Sequence, residues 1–369
     1  MCIRDSRQEG HLQVRHGESK IKKSSMTSSV IAMHGSQDAE EGKVVVDTPH
    51  RRNHRRWSFD RISFFVVFLG VPLTIYLVFV ISPFLQALYY SLTDWGGFSM
   101  KFKIVGLENY RILFADPLFR RAMLNNVILC VFVPLVAIAS ALALATMLTV
   151  GGSSHGQIRG LRGSGFYRVV SFFPYCVPAV VIGLLWSQLL DPSHGLVNGL
   201  LKGAGLGGFD NFAWLGERST AMPVSIFIML WGYIGFYMLL FVAAIKSIPS
   251  EIFEAAKIDG AGRFRVAVKI MVPLIRDNIQ TAWIYLGIVS LDAFVYMSVL
   301  NPFGGPDNST LVMSQQLWDS FQNARYGLAC AQGVVICLFT LTFAGIVGLV
   351  SRLTGGKDSV TLALSLIHI

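Results

Sequence analysis

The chain has 369 residues, of which 53% are hydrophobic and only 14% are charged. Because a soluble domain carries about a quarter charged residues, this composition excludes an ordinary water-soluble protein and indicates a membrane protein. The formal net charge of +9 does not indicate nucleic-acid binding, since the basic residues lie at the ends of apolar segments and form no single patch.

The N-terminal part of the chain is polar and finishes with a basic run, RRNHRR. We expect residues 1–56 to form a disordered cytoplasmic extension. A signal peptide is not expected, because the first apolar stretch begins only near Ile62 and is too long for the hydrophobic part of such a peptide. The extreme ends, 1–6 and 364–369, match nothing else in the chain, and Met26 is an alternative start.

Apolar segments that are each long enough to cross a bilayer follow this extension, since a crossing takes about 20 helical residues. These six segments are approximately 62–84, 127–150, 169–190, 221–245, 279–300 and 328–350. Because a backbone in lipid must satisfy its own hydrogen bonds, we expect each segment to be helical. The sequence therefore predicts an all-α, polytopic membrane protein, with a six-span domain at 57–353 and a C-terminal tail at 354–369.

The distribution of lysine and arginine predicts the orientation of these spans. Basic residues are more numerous on the side that holds both chain ends and the loop 246–278 than on the other side. Loops on the cytoplasmic side of a membrane carry an excess of such residues. We therefore expect both termini and the loop 246–278 in the cytoplasm.

The loop 246–278 carries the most informative local pattern. Pro249 ends the fourth predicted span, and Ser250 is suited to cap a short helix that follows. Asp259-Gly260 is a natural turn pair, in which Gly260 can take the left-handed conformation that ends a helix. The pattern predicts a short helix, a turn and a second helix.

Side-chain size along this loop indicates a contact surface. Ala255 and Ala256 leave one surface of the first helix bare, so another protein can approach it closely. Beyond the turn, Phe264, Val268 and Val272 are spaced for one apolar face of the second helix. The loop is therefore suited to dock against a partner.

The loop resembles the EAA loop of binding-protein-dependent ABC importer permeases. That pattern is E-A-A, three residues, G, nine residues and I-x-L-P, and the chain follows it from Glu254 to Pro273 with Val272 in place of Leu. The resemblance implies the six-helix bundle of a type I ABC importer permease. It also implies contacts that couple the loop to a separate ATP-binding subunit. These contacts are Glu254, Ala255, Ala256, Asp259 and Gly260.

The same resemblance implies the location and the partners. Such a permease lies in a bacterial-type inner membrane with a second permease subunit, a dimer of ATP-binding subunits and an extracytoplasmic solute-binding protein. The sequence contains no G-x-x-x-x-G-K-[ST] pattern for binding phosphate. ATP and magnesium are therefore expected in the partner, and this chain is expected to bind no cofactor and to be no enzyme.

Three looser phrases resemble the sugar-importing branch, and in particular its maltose-permease-like first subunit. They are SLTDW at 91–95, VGLENY at 105–110 and NPFGGP at 301–306, the last with one apparent insertion and a lost Thr. The implied substrate is a sugar, and a glycerol-phosphate or a polyol is the alternative within the family. An ion-driven secondary carrier is the alternative class, although no internal repeat is visible.

Asp292 is the only ionisable residue inside a predicted span. A carboxylate is costly in hydrocarbon, so it either lines a wet transport pathway or serves a structural partner or a local loop end. Ser290 lies beside it, and Tyr296 follows one turn later on the same predicted face. A carboxylate and a tyrosine suit a sugar, which needs hydrogen-bond acceptors and stacking surfaces.

The run Gly235-Phe236-Tyr237 in the fourth predicted span resembles a run from which sugar permeases draw substrate contacts. Gly235 and Tyr237 are therefore pathway candidates, with helix packing and an interfacial or core aromatic as the alternatives. No metal site is expected, because the five cysteines form no C-x-x-C pair and the histidines are scattered.

Overall fold

The computed structural model describes residues 63–97, 101–150 and 163–353. The predicted extension at 1–56 and the predicted tail at 354–369 lie outside these ranges. Within them, the regular elements are helices, apart from one antiparallel bridge between Thr93 and Ile104. The predicted all-α class is confirmed.

We number the helices in chain order. They are α1 Ser63–Tyr90, α2 Glu108–Ala115, α3 Pro117–Val150, α4 Ser164–Cys176, α5 Ala179–Leu189, α6 Leu196–Gly203, α7 Ala221–Lys246, α8 Ser250–Ile258, α9 263–274, α10 Arg276–Leu291, α11 Phe294–Leu300, α12 Met313–Gln322 and α13 Tyr326–Leu353. Short 3₁₀ turns occur at Gly207–Phe209, Pro302–Gly304 and Pro306–Asn308.

Four of these helices, α1, α3, α7 and α13, are each long and apolar enough to cross a membrane. Two bent pairs, α4 with α5 and α10 with α11, bring the number of spans to as many as six when each pair counts as one. The predicted spans correspond to these helices and pairs. The pairs are not straight, because α4 and α5 meet at 98° and α10 and α11 at 46°.

Proline explains the sharper of these bends. Pro178 has no amide hydrogen to continue the helix, and its ring disfavours a helical conformation at the residue before it. Val177 accordingly has an extended backbone, with φ −86° and ψ 132°. The third predicted span, 169–190, is therefore broken at this proline and does not form one continuous helix.

Prolines also account for three π-helical turns in the described residues. These turns are Val66–Gly70, Leu77–Ile81 and Ala267–Met271, and each ends two residues before Pro72, Pro83 or Pro273. A proline ring collides with the carbonyl four residues earlier in a regular α-helix. A wider π-helical turn relieves that collision and rotates the following residues around the helix.

The centre of the bundle is α7, which packs mainly against α3 and α4, while α3 also packs against α10. Small side chains on α3, including Ala137, Ala141 and Ala145, are fully buried and allow close helix approach. On α7 the large side chains Met238 and Phe241 are also fully buried. This tight core fixes the positions of the helices that carry the candidate site.

By contrast, α1 lies at the outside of the chain. None of its most apolar 18-residue window is buried, and Phe68 and Phe79 are among its exposed side chains. Its C-terminal part packs on α13, so that the first span contacts the last. Most of the α1 surface is left for lipid or for another subunit.

Candidate coupling loop and transport pathway

The predicted short helix of the loop 246–278 is present as α8. Its N-cap residue is Pro249, with ψ 137° and no side-chain capping hydrogen bond. Ser250 is the first helical residue, so the prediction that Ser250 caps the helix is wrong. Glu251 lies in the first turn, where a negative charge is favoured by the helix dipole.

Gly260 ends α8 in the left-handed conformation that its position predicts, with φ +71°. Its amide donates a hydrogen bond of 3.0 Å to the carbonyl of Lys257, and the amide of Ala261 donates one of 2.9 Å to the carbonyl of Ala256. This pair of bonds is the Schellman arrangement, which satisfies the last carbonyls of a helix. The turn therefore gives the second helix a defined direction.

The side chains of α8 divide between two faces. Glu254, Ala255, Asp259 and Gly260 are exposed. Ala256 is only 6% exposed and belongs to the main core together with Phe253. The prediction of a bare surface at both alanines is therefore wrong for Ala256, which attaches the helix to its own bundle.

The prediction of an apolar face beyond the turn is also wrong. Phe264 is 82% exposed and Val268 is exposed as well, whereas the buried side chains of this segment are Val266 and Met271. The π-helical turn at Ala267–Met271 explains the difference, because it shifts the register of the face that meets the bundle. A large aromatic side chain therefore projects away from the bundle beside α8.

The two α7 candidates lie in packed surroundings. A Cβ atom at Gly235 would overlap the carbonyl group of Ser171, so glycine allows α4 and α7 to cross in close contact. The Tyr237 side chain is only 3% exposed. Between them in sequence, the half-buried Phe236 ring stacks on the Tyr175 ring at 4.6 Å. These contacts show that Gly235 and Tyr237 take part in helix packing. Contact of either residue with a substrate stays a prediction.

Asp292 lies at the break between α10 and α11, where its backbone is non-helical with φ −94° and ψ 53°. Its side chain is exposed and lines a cleft of about 380 Å³, which we call the inner cleft. The other residues of this cleft are Ile288, Phe294, Ser314, Leu317, Trp318, Gly333, Ile336 and Thr340. The carboxylate is therefore outside the packed core and accessible to a polar ligand.

Ser290 and Tyr296 do not share the surroundings of Asp292. The fully buried hydroxyl of Ser290 donates a 2.6 Å hydrogen bond to the carbonyl of Leu286. Tyr296 is 4% exposed and packs edge-to-face on Tyr233 with 5.8 Å between the ring centroids. The prediction that Tyr296 continues the Asp292 face is wrong, because the 46° bend separates the two residues.

A buried polar network beside the inner cleft was not predicted from the sequence. The Asn301 side-chain amide donates a 2.7 Å hydrogen bond to the Ser225 hydroxyl, and the Gln315 amide donates one of 3.1 Å to the Asn301 carbonyl. Asn126 donates to the carbonyl of Leu291 at 2.7 Å. The signal available in the sequence was the presence of polar residues in strongly apolar surroundings, since buried polar groups need hydrogen-bond partners.

No three His, Cys, Asp or Glu side chains come together in a way that suits a metal ion in the part of the chain that the structure describes. The polar groups of the site are carboxylates, amides and hydroxyls, with aromatic rings beside them. Such groups bind neutral polar solutes through hydrogen bonds and ring contacts.

A family model described as "Binding-protein-dependent transport system inner membrane component" matches residues 147–354, which is more than half of the chain. The chain belongs to this family. The match includes the whole loop 246–278, and it identifies the chain as the permease subunit of an ATP-binding-cassette importer. The permease is therefore a multi-pass membrane protein and a component of a transport system.

Two curated relatives resemble the permease over most of its length. The diacetylchitobiose uptake system permease protein NgcF of Streptomyces coelicolor is 53% identical over 309 residues, which cover 84% of the permease and 88% of that protein. The multiple sugar-binding transport system permease protein MsmF of Streptococcus mutans is 31% identical over 288 residues, covering 78% and 92%.

A solved structure confirms the fold. It is that of a bacterial alginate ABC transporter in complex with an alginate pentasaccharide-bound periplasmic protein. One of its chains matches the permease with a TM-score of 0.69 over 82% of the permease and 99% of that chain. The identity is 24%, so the likeness concerns the fold of an ABC importer permease alone.

Proposed function

We propose that the permease forms part of the translocation path for a sugar, and more narrowly for an N-acetylated disaccharide such as diacetylchitobiose. The observation that carries this proposal is the 53% identity to the diacetylchitobiose permease over 309 residues. An extracytoplasmic binding protein delivers the sugar, and both chain termini lie in the cytoplasm. A glycerol-phosphate or a polyol is the alternative substrate.

The energy for transport comes from a dimer of ATP-binding subunits that docks on the coupling loop. Ile258 and Phe264 support this proposal, because they are 87% and 82% exposed beside the charged residues Glu254 and Asp259. Large apolar side chains in contact with water mark a surface that another protein covers. ATP and magnesium belong to that partner, and this chain binds no cofactor of its own.

The coupling contacts are the exposed residues of α8 and its turn. Glu254, Ala255, Asp259 and Gly260 meet the ATP-binding subunit directly. Ala256 transmits the movement, because it packs on the core of the permease. A push on α8 is thereby passed to α7 and α10.

The substrate path runs beside α7, α10 and α11. Asp292 is the candidate that contacts the sugar, since its carboxylate opens into the inner cleft. The other pathway candidates, Gly235, Tyr237, Ser290 and Tyr296, hold the wall of the path in place through packing. A second permease subunit closes the path on its open side, and the unburied α1 supports such a contact.

Uptake of labelled diacetylchitobiose tests the proposed function. The permease is expressed with its cognate partner subunits and binding protein in cells that lack the system. We expect uptake that requires every component, and competition by excess unlabelled diacetylchitobiose but not by glycerol 3-phosphate. Uptake of labelled glycerol 3-phosphate together with no uptake of the disaccharide would contradict the sugar assignment.

A further inference from the structure

A second cleft, larger than the inner cleft, lies where α11 ends and α12 begins. Its volume is about 540 Å³, which is within the usual range of roughly 300–1,000 Å³ for small-molecule sites. We call it the outer cleft. Side chains that matter for its chemistry are Phe303, Gln316, Trp318, Asp319, Gln322 and Asn323.

The aromatic groups of the outer cleft form a platform. Trp318 is half exposed, and its ring stacks on the ring of Phe321 with an angle of only 15° and 5.6 Å between the centroids. This contact holds the indole ring in one orientation. Flat aromatic faces in a fixed orientation suit the C–H face of a pyranose ring, which is apolar although its hydroxyl groups are not.

The polar groups around this platform are mostly amides. Gln316, Gln322 and Asn323 offer both donors and acceptors, and Asp319 offers a carboxylate. The side-chain oxygen of Gln316 is buried and accepts no hydrogen bond within the described residues. A buried acceptor without a donor is unfavourable, and a hydroxyl or acetamido N–H group of a bound sugar would supply that donor.

The loop that borders the outer cleft holds an unusual backbone. Phe303, Asp307 and Asn308 are non-glycine residues with φ between 53° and 57°. Strained conformations of this kind persist only where surrounding contacts hold them, and they cluster at functional sites. Here the Thr310 hydroxyl donates to the carbonyl of Gly304 at 2.8 Å.

Further contacts tie this loop to the body of the permease. Arg218 forms an ion pair with Asp307 at 3.3 Å, and the network of Asn301 with Ser225 joins the loop to α7. Phe303 is left 91% exposed at the rim of the cleft. The border of the outer cleft is therefore shaped before any ligand binds.

The outer cleft is next to the inner cleft. Phe294 and Trp318 line both, with their ring centroids 6.1 Å apart. This aromatic pair separates the outer cleft from the cleft that holds Asp292. A solute that moves from one cleft to the other passes these two rings.

We propose that the outer cleft is an extracytoplasmic saccharide-binding subsite of the permease itself. Trp318 stacks on a pyranose ring, Gln316 and Gln322 bind its polar substituents, and the Phe294–Trp318 pair controls passage towards Asp292. This inference rests on the proposed function as a sugar importer. It assigns the permease a substrate contact before the sugar reaches the centre of the membrane.

The test uses the complete importer in lipid nanodiscs without its binding protein, with diacetylchitobiose as the probe and saturation-transfer NMR as the measurement. We expect weak but saturable binding to the unmodified complex. Trp318→Leu should lower the affinity about tenfold or more, while Trp318→Phe, which keeps a flat ring, should stay within about threefold. Gln322→Ala should weaken binding, and Gln188→Ala, an exposed glutamine on α5, is the matched control.

Uptake in cells separates this inference from the proposed function. If the unmodified permease imports diacetylchitobiose but the nanodisc complex does not bind it, and Trp318→Leu leaves uptake unchanged, the subsite is wrong and the proposed function stands. If another saccharide is the one imported, the binding test uses that saccharide and the same outcomes apply. If no saccharide is imported, both proposals fail together.

If the outer cleft is instead a contact site for the binding protein, a different result is expected. Trp318→Leu would then lower the amount of binding protein that co-purifies with the importer and leave saccharide binding by the nanodisc complex unchanged. That result would overturn the saccharide subsite. Assembly of each variant is checked by size-exclusion chromatography, so that loss of folding is not taken for loss of binding.

Discussion

The side-chain amide of Asn301 lies 2.7 Å from the hydroxyl oxygen of Ser225, to which it donates a hydrogen bond inside the protein. Both residues are almost completely buried, at 2% and 0% exposure. The bond joins the loop after α11 to the first turns of α7. It therefore connects the border of the outer cleft to the most buried helix of the bundle.

Ser225→Ala tests how much this hydrogen bond contributes to the stability of the permease. Removing the hydroxyl leaves the Asn301 amide buried without its acceptor, which typically costs about 1–3 kcal/mol. We expect a lower temperature of thermal unfolding for the detergent-solubilised importer, measured by fluorescence-detected chromatography. Thr342→Val is the control, because its exposed hydroxyl bonds only to the carbonyl of Leu338 in its own helix. Equal effects of the two changes would contradict the argument.

Gly235→Ala should disturb the crossing of α4 and α7. The added Cβ atom would meet the Ser171 carbonyl, which is backbone and cannot swing aside. We expect poor assembly of the importer and a loss of stability of a few kcal/mol. Gly199→Ala is the matched control, because a Cβ atom at Gly199 has no neighbour within 4 Å. Normal yield and stability of Gly235→Ala would mean that the helices can separate at no cost.

The double change Glu254→Lys and Gly260→Pro should abolish uptake without preventing membrane insertion. Lysine reverses a charge on the exposed face of α8, and proline cannot adopt the φ of +71° found at Gly260. Proline also removes the amide that donates to Lys257. The measurements are uptake of labelled sugar and co-purification of the ATP-binding subunit.

Gly262→Ala serves as the control for the backbone change in this loop. Gly262 has φ −67°, and a Cβ atom there would meet nothing within 4 Å. This variant should transport normally. If the double variant retained both uptake and its ATP-binding partner, the loop would not be the coupling site.

Two substitutions of Asp292 distinguish a role in transport from a structural role. Asp292→Asn keeps the shape and the hydrogen-bonding capacity of the side chain, whereas Asp292→Leu removes both charge and hydrogen bonds. We expect a large loss of uptake in the Leu variant and a smaller one in the Asn variant, with the complex assembled in both. Unchanged uptake in both would remove Asp292 from the pathway, and loss of the protein would indicate a structural role.

Reporter fusions test the orientation of the spans. Fusions at Gly152, Gly260 and Lys357 should report a cytoplasmic position, because basic residues concentrate on that side. Fusions at Lys103, Gly207 and Asn308 should report an external one. An external position for Gly260 would contradict the coupling proposal, since the loop could not reach an ATP-binding subunit.

The sequence predicted those features that depend on local chemistry. The apolar segments form spans or bent pairs of helices, because a backbone in lipid must satisfy its own hydrogen bonds. Gly260 adopts the left-handed turn, because glycine tolerates a positive φ that other residues rarely adopt. The local pattern of the loop 246–278 also predicted a short helix, and that helix is α8.

Features that depend on packing were not predictable in the same way. The π-helical turn at Ala267–Met271 places the buried Val266 and Met271 five residues apart, whereas the predicted periodicity assumed the spacing of a regular helix. Ala256 faces inward because of where α8 lies on the bundle. The hydrogen bond of Asn301 to Ser225 joins two segments that no local pattern relates.

The contact between α1 and α13 has a consequence for the synthesis of the permease. A ribosome delivers α13 long after α1, so α1 waits for this neighbour until the helices between them have been made. During that interval the part of α1 that later meets α13 remains uncovered by it. Truncation before Tyr326 would therefore remove this contact and leave more of the apolar surface of α1 uncovered by the chain.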